Sequence, residues 1–224
     1  MGRIPEGAMG GDQPRPGRPL AETVAKRRLV ALAGHRGEPH VARSHLHDGD
    51  PVVRATALRA LARCRDLPAS EIMAASSDPD PVVRRAAAEV LATWEAGQTG
   101  QADEPASLLG LLADDDPSTL EMAAWAAGER LPPEEGVVER LAELATGHRD
   151  ALVREAAVAS LGSIGDRRAL PAILQAMHDR ATVRRRAVLA LAPFEGPEVD
   201  EALERARSDR DWQVRQAAED LLAP

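Results

Sequence analysis

The sequence predicts an all-α protein built as a solenoid of helix pairs, and three observations predict it. Its 224 residues contain no tyrosine, one phenylalanine and three tryptophans, whereas alanine, leucine, arginine and glutamate, which favour helices, are abundant. A short phrase, D-x-x-V-R, recurs with two degenerate copies at intervals of 30 to 36 residues, and that period is typical of helical hairpin arrays. Alanine also recurs at one fixed distance from every copy.

The phrase has four complete copies and two degenerate ones. The complete copies are DPVVR at 50–54, DPVVR at 80–84, DALVR at 150–154 and DWQVR at 211–215. The degenerate copies are DPSTL at 116–120, which lacks the valine and the arginine, and RATVR at 180–184, which lacks the aspartate. Six copies in register predict six helix pairs.

Alignment on the last residue of the phrase predicts which helix face is buried. Three residues further on, every copy has alanine: Ala57, Ala87, Ala123, Ala157, Ala187 and Ala218. Seven residues on stand Leu61, Leu91, Ala127, Leu161, Leu191 and Leu222, and one residue before stand Val53, Val83, Thr119, Val153, Val183 and Val214. These positions share one helical stripe, so the small residues should let neighbouring helices approach closely while the larger ones fill the space between repeats.

Each phrase begins the second, inner helix of a pair. The Asp-Pro steps at 50, 80 and 116 suit helix starts, because aspartate caps the free amides and proline has no donor to lose at the first position. The first, outer helices are predicted at 39–48, 69–77, 105–113, 134–146, 169–179 and 197–208. An amphipathic stretch at 20–33 should cover the first repeat.

These elements predict the domain organisation. Residues 1–19 hold five glycines and four prolines and are predicted to be a disordered tail. Residues 20–224 should form the solenoid, with a capping helix at 20–35 and repeats at about 39–64, 69–96, 105–130, 134–165, 169–195 and 197–223.

The repeated phrase resembles a known family. The segments DPVVRATALRAL at 50–61 and DPVVRRAAAEVL at 80–91 resemble the HEAT repeat, in the subtype shared with phycobilisome-lyase-like proteins. The resemblance implies a right-handed superhelix in which the second helix of each pair lines a concave groove. It also implies a ladder of aspartate and arginine running between repeats.

Charge and cysteine content exclude several classes of protein. The formal net charge is −8, and residues 86–139 carry twelve acidic side chains and one basic one, so this region should repel nucleic acid, whose binding needs lysine and arginine. Cys64 is the single cysteine, which excludes an intramolecular disulfide or a thiolate metal cluster within one chain. No stretch is long enough to span a bilayer. We expect a cytoplasmic protein with no membrane contact.

Few residues suggest chemistry. The Asp and Arg of the phrase recur in four copies, and an active site does not occur four times along one rod, so capping and ion pairing between repeats explain them better. Four histidines surround the first outer helix, namely His35, His40, His45 and His47. Their spacings of five and two residues do not place them on one helix face, so we expect no metal and no cofactor.

Enzymes with similar repeats give the alternatives. Deoxyhypusine hydroxylases bind iron through His-Glu pairs, and this sequence has no His-Glu dipeptide; bilin lyases share the repeat subtype, but nothing else here suggests a tetrapyrrole pocket. AlkD-like DNA glycosylases hold Trp and Asp in a cationic groove. Trp94, Trp125 and Trp212 keep that class open, although the acidic middle disfavours it.

Trp125 is the strongest candidate for a binding residue. It lies five residues after the phrase and off the buried stripe, so it should either point into the groove as an interface anchor or fill space in the degenerate third repeat. Arg184, Arg185 and Arg186 form the densest basic run, which is either a solvated face or a binding surface. The predicted partner-binding residues are Glu121, Trp125, Glu129, Glu155, Arg185 and Leu189. The sequence therefore favours a non-catalytic protein-interaction scaffold that holds a basic or helical partner segment in its groove.

Overall fold

A computed structural model describes residues 18–95 and 107–223, and within these ranges it contains twelve α-helices and no strands. The helices are α1 (Arg18–Arg36), α2 (Pro39–Arg43), α3 (Pro51–Arg63), α4 (Ala69–Ser76), α5 (Pro81–Leu91), α6 (Pro117–Glu129), α7 (Val137–Gly147), α8 (Ala151–Ile164), α9 (Leu170–Ala176), α10 (Ala181–Ala190), α11 (Pro197–Ala206) and α12 (Trp212–Leu222). The predicted disordered tail lies outside the described residues, except that α1 already begins at Arg18. The polar segment GQTGQADE at 97–104, whose composition favours a loop, also lies outside them.

The helices form two rows. Helices α1, α3, α5, α6, α8, α10 and α12 make the inner row, in which each helix packs against the next. Helices α2, α4, α7, α9 and α11 make the outer row, and each packs against the inner helix that follows it in the chain. The predicted all-helical solenoid is confirmed. Helix α1 has no outer partner before it among the described elements and packs on α3 as the capping helix.

The inner helices begin as predicted. The side chains of Asp50, Asp80 and Asp150 each accept a hydrogen bond from the amide two residues on, at 2.9 Å. In the degenerate third copy, Asp116 accepts from the amide of Thr119 instead. Helix α10 has Arg180 at this position and no side-chain cap. Capping therefore follows the aspartate of the phrase wherever it is present.

The buried stripe is also as predicted, with one exception. All six alanines three residues after the phrase are fully buried, and the six residues just before its end are at most 3% exposed. Leu222 was predicted to be buried, but it is 41% exposed, because α12 packs on α10 and α11 and no further described helix packs against it.

The ladder between repeats uses different aspartates from those of the phrase. Arg54 donates through Nε and Nη2 to Asp78, at 2.9 and 2.7 Å, and through Nη1 to the carbonyl oxygen of Asp48 at 2.9 Å. Asp78 lies two residues before the capping Asp80. The same bidentate pairing joins Arg84 to Asp114, Arg154 to Asp179 and Arg184 to Asp209. Each arginine thus ties its repeat to the next one, while the aspartate of the phrase caps its own helix.

We call Asp78, Asp114, Asp179 and Asp209 the ladder aspartates. Their pKa values are lowered from the ordinary value. For Asp179 and Asp209 the hydrogen bond from arginine is the main cause. For Asp78 and Asp114 burial alone would raise the pKa, but the hydrogen bonds from arginine and from a backbone amide outweigh it.

The ladder has a gap between the third and fourth repeats. Leu120 replaces the arginine and is buried. At the place of the matching ladder aspartate stands His148, whose Nδ1 accepts a hydrogen bond from the amide of Asp150 at 3.1 Å. Both partners of the pair are therefore replaced together at this joint.

The outer row departs most from the prediction. A helix was expected at 105–113, but residues 107–110 are not helical and a single 3-10 turn, Leu111–Ala113, takes its place. The first outer helix ends at Arg43 rather than at 48, and α7 begins at Val137 rather than at 134. Short helices at these positions are stabilised by packing on the inner row rather than by propensity.

Candidate functional site

Trp125 lies on the exposed face of the inner row, as one of the two sequence interpretations expected. Its side chain is 43% exposed, whereas Ala123 and Ala127 on either side of it along α6 are buried. A large ring left in solvent is unusual, because burying an aromatic side chain is strongly favourable. The ring of Trp125 therefore presents an exposed apolar surface on this face.

The ring of Trp125 borders a cavity of about 300 Å³ formed by four inner helices. Its principal lining residues are Arg85 from α5, Glu121, Met122 and Trp125 from α6, Leu152 and Glu155 from α8, and Arg186 from α10. Leu152 is exposed like the tryptophan. The cavity thus combines an apolar wall with charged residues of both signs.

A second cavity of about 140 Å³ adjoins the first. It is lined by Glu155, Thr182, Arg185, Arg186, Leu189 and Gln213. Glu155 and Arg186 belong to both cavities, so the two form one continuous depression along the inner helices. We call it the inner groove.

The charged side chains of the inner groove are not neutralised by one another. No hydrogen bond or ion pair joins Glu121, Glu155, Arg85, Arg185 or Arg186 to any other side chain within residues 18–95 and 107–223. Elsewhere on the inner face the chain does pair its charges. Arg59 of α3, for example, donates twice to one oxygen of Glu89 on α5, at 2.9 and 2.6 Å.

The structure thus brings five of the six predicted binding residues together. Glu121, Trp125 and Glu155 line the first cavity, and Arg185 and Leu189 line the second together with Glu155. The sixth, Glu129, is exposed at the end of α6, one turn beyond the tryptophan, and lines neither cavity. Their role in binding stays a prediction.

The predicted set of binding residues omitted Arg85, Arg186, Met122 and Leu152, although Arg186 belongs to the basic run noted in the sequence. Arg85 directly follows the phrase, as Arg185 does, so the same register argument could have found it. With both arginines present, the groove is not uniformly acidic, although residues 86–129 contain nine carboxylates and no basic side chain.

Comparison with known proteins agrees with this architecture. The profile of HEAT repeats matches residues 39–128, 104–192 and 138–223. The chain belongs to the HEAT-repeat family. No curated protein matches this sequence.

Solved structures share the solenoid fold of this HEAT-repeat protein. YibA of Escherichia coli is 15% identical over 96% of this chain and 77% of its own, with a TM-score of 0.57. An engineered protein is 22% identical over 88% of this chain and 96% of its own, with a TM-score of 0.57. Human deoxyhypusine hydroxylase is 21% identical over 89% of this chain and 78% of its own, with a TM-score of 0.46, a likeness that supports no functional comparison.

The other tryptophans of this HEAT-repeat protein have different surroundings. Trp94 is buried and donates through Nε1 to the carbonyl oxygen of Leu67 at 2.9 Å, so it belongs to the core. Trp212 is 64% exposed at the start of α12.

The histidine cluster has local partners. His45 uses Nδ1 to contact the carbonyl oxygen of Val41 at 2.9 Å and the hydroxyl of Ser44 at 3.1 Å. Across the described ranges, no three His, Cys, Asp or Glu side chains converge as the ligands of a metal ion would. No described helix is both long and apolar enough to cross a membrane.

One carboxylate outside the groove has a perturbed pKa. Burial raises the pKa of Glu71, and the nearby Arg43 partly opposes this rise. Arg43 pairs with one oxygen of Glu71 and, at 3.1 Å, with Asp66, while the second oxygen of Glu71 has no hydrogen-bond partner in the described part of the chain. This arrangement joins the first two outer helices.

Proposed function

We propose that this protein is a non-catalytic binding module that holds a polypeptide segment of a partner protein in the inner groove, with Trp125 as the anchor. The observation that carries the proposal is the exposure of the ring beside Met122 and Leu152 in one cavity. Interface anchors are commonly tryptophans that a partner covers completely. HEAT arrays present long continuous surfaces suited to such partners.

The unpaired charged side chains of the groove form a polar rim around the Trp125 anchor. In this proposal Glu121 and Glu155 receive basic groups of the partner, which is the role that the sequence predicts for them. A cation that approached them would also meet the face of the Trp125 ring, which attracts positive charge. Electrostatic attraction of this kind weakens with added salt.

Two other classes fit the groove less well. Nucleic-acid binding needs a positive surface, and here the carboxylates of Glu121 and Glu155 lie between the arginines, where they would repel phosphate. Catalysis needs an activated nucleophile or a proton-transfer group. Within the described residues, neither Glu121 nor Glu155 is hydrogen-bonded to a hydroxyl that lines the cavities, and Ser160 donates instead to the carbonyl oxygen of Ala124. Binding therefore explains the groove better than either alternative.

The experiment is a selection of fully randomised displayed peptides of about 13 residues, long enough to cross the groove. Affinities of the selected peptides are then measured by calorimetry for the parent, for Trp125→Ala and for the matched control Trp212→Ala. We expect Trp125→Ala to weaken binding by about 2 kcal/mol, roughly 30-fold, with little change in melting temperature. Trp212→Ala should bind like the parent, because Trp212 is exposed outside both cavities.

Two outcomes would contradict the proposal. If the selection enriches the same peptides on Trp125→Ala as on the parent, the groove is not the binding surface. If Trp125→Ala lowers the melting temperature strongly and leaves the affinity per folded molecule unchanged, the ring contributes to stability and not to binding.

A further inference from the structure

The free charges follow a definite order along the inner groove. Arg85 stands on α5, Glu121 on α6, Glu155 on α8, and Arg185 with Arg186 on α10. Since these helices are consecutive in the inner row, the charges along the groove are positive, negative, negative and positive in that order. None of these side chains is paired with another described residue, so the pattern is available to a ligand.

The centre of this pattern suits a long basic side chain. Trp125, Met122 and Leu152 supply an apolar wall for an aliphatic stem, and the carboxylates of Glu121 and Glu155 lie at the same cavity. Arginine and lysine bury their stems against apolar surface while their charged ends reach polar groups. An aromatic face with two carboxylates is a favourable setting for such a cation.

The ends of the pattern suit acidic side chains. Arg85 borders the first cavity on the α5 side, Arg186 borders both cavities on the α10 side, and Arg185 borders the second cavity. A uniformly basic segment would place its outer cations against these arginines, and such like-charge contacts oppose binding. A segment with acidic ends would instead satisfy them.

We infer that the partner segment carries a basic residue that enters the Trp125 cavity and acidic residues on both sides of it. This inference rests on the proposed function and adds the charge pattern that the groove selects. Inner helices lie about 8 to 10 Å apart, and the cavity lies between α6 and α8, so the axes of α5 and α10, which carry the arginines, are each roughly 13 Å from its middle. An extended chain covers that distance in about four residues.

The test applies the same peptide selection to charge-reversal variants. On the parent, the enriched peptides should carry a basic residue with acidic residues about four positions to either side. Peptides selected on the double variant Arg185→Glu/Arg186→Glu should carry a basic residue in place of the acidic one at one peptide end only. Peptides selected on Arg85→Glu should show the same change at the opposite end. These three arginines are exposed and unpaired, so the variants should melt like the parent.

A second measurement makes the result quantitative. Replacing one flanking acidic residue of an enriched peptide with its amide should weaken binding to the parent about fivefold in low salt, an effect typical of one exposed ion pair. The same peptide change should strengthen binding to the variant whose matching arginine is reversed to glutamate, because it removes a like-charge contact. This comparison assigns each peptide end to one end of the groove.

The outcomes separate the two proposals. If Trp125→Ala loses the enriched peptides but charge reversal leaves their ends unchanged, the binding function stands and the charge pattern is refuted. Enrichment of uniformly basic peptides on the parent would also refute the pattern. If Trp125→Ala retains the whole enriched pool, the proposed function itself falls.

Discussion

Replacing Gly162 with alanine tests the closest contact between neighbouring inner helices. Gly162 lies inside α8, and a methyl group there would be 2.6 Å from Cα and 2.7 Å from Cβ of Ala190 on α10. A backbone atom cannot move aside unless the whole helix shifts. Overpacking costs about 1 to 3 kcal/mol, and because this clash involves a backbone atom we take the upper part of that range, about 2 to 3 kcal/mol. The better helix propensity of alanine returns about 1 kcal/mol. We expect a net loss of about 1 to 2 kcal/mol.

Gly147→Ala is the matched control for this substitution. Gly147 is exposed at the end of α7, and a methyl group there would meet nothing within 4 Å. Thermal unfolding followed by circular dichroism should show that Gly162→Ala melts about 2 to 8 °C below the parent and that Gly147→Ala melts at or slightly above it. Equal or higher stability of Gly162→Ala would refute the close approach of α8 and α10.

Two further predictions concern the ladder. In a denaturant titration, Arg184→Met should lower the unfolding free energy by on the order of 2 to 3 kcal/mol, because it leaves the partly buried Asp209 without its charged partner. The control is Arg205→Met, whose pair with Glu201 is exposed, and it should change the unfolding free energy by less than about 0.5 kcal/mol. Similar losses in both variants would contradict a special role of the ladder. The second prediction concerns acid: because Arg184 lowers the folded pKa of Asp209, the stabilisation is present above the unfolded pKa of about 3.9 and is lost as the pH falls through the lower folded value. The melting temperature of the parent should therefore fall more steeply below about pH 4 than that of Arg184→Met, and parallel profiles would show that this pair does not contribute.

Repetition explains why so much of the core could be predicted from the sequence. A single copy of the phrase would not fix the helix register, but six copies in register place one alanine at the same contact in every repeat. Leu222 is the exception because its burial would require a further helix packed on α12. The position of a residue within the repeat does not show whether such a helix is present. The ladder aspartates could have been found as well, since Asp78 and Asp209 both stand two residues before a capping aspartate.

The inner groove was harder to predict because its residues are distant in the sequence. Arg85 and Arg186 are 101 positions apart, yet they border the same cavity. A count of charges along the chain gives equal weight to residues on the buried, outer and inner faces. It therefore indicated a uniformly acidic centre. The charge of the inner face depends on the residues at equivalent positions in several successive repeats. A short continuous segment of the sequence contains such a position only once, so its net charge does not give the charge of the face.

The third repeat departs from the pattern in two ways that have different physical causes. An arginine at 120 without an aspartate at 148 would be a buried charge without a partner, so Leu120 and His148 together form one structural change rather than two. The joint remains closely packed, because the hydroxyl of Ser160 donates to the carbonyl oxygen of Ala124 at 2.6 Å. Trp125 belongs to neither arrangement. Five residues beyond Leu120 along α6, it is turned by roughly 140° from the ladder and is exposed at the groove, where neither the missing ion pair nor the packing of α8 requires a ring. Stability therefore explains the change at Leu120 and His148, whereas for the tryptophan we propose a ligand that covers it.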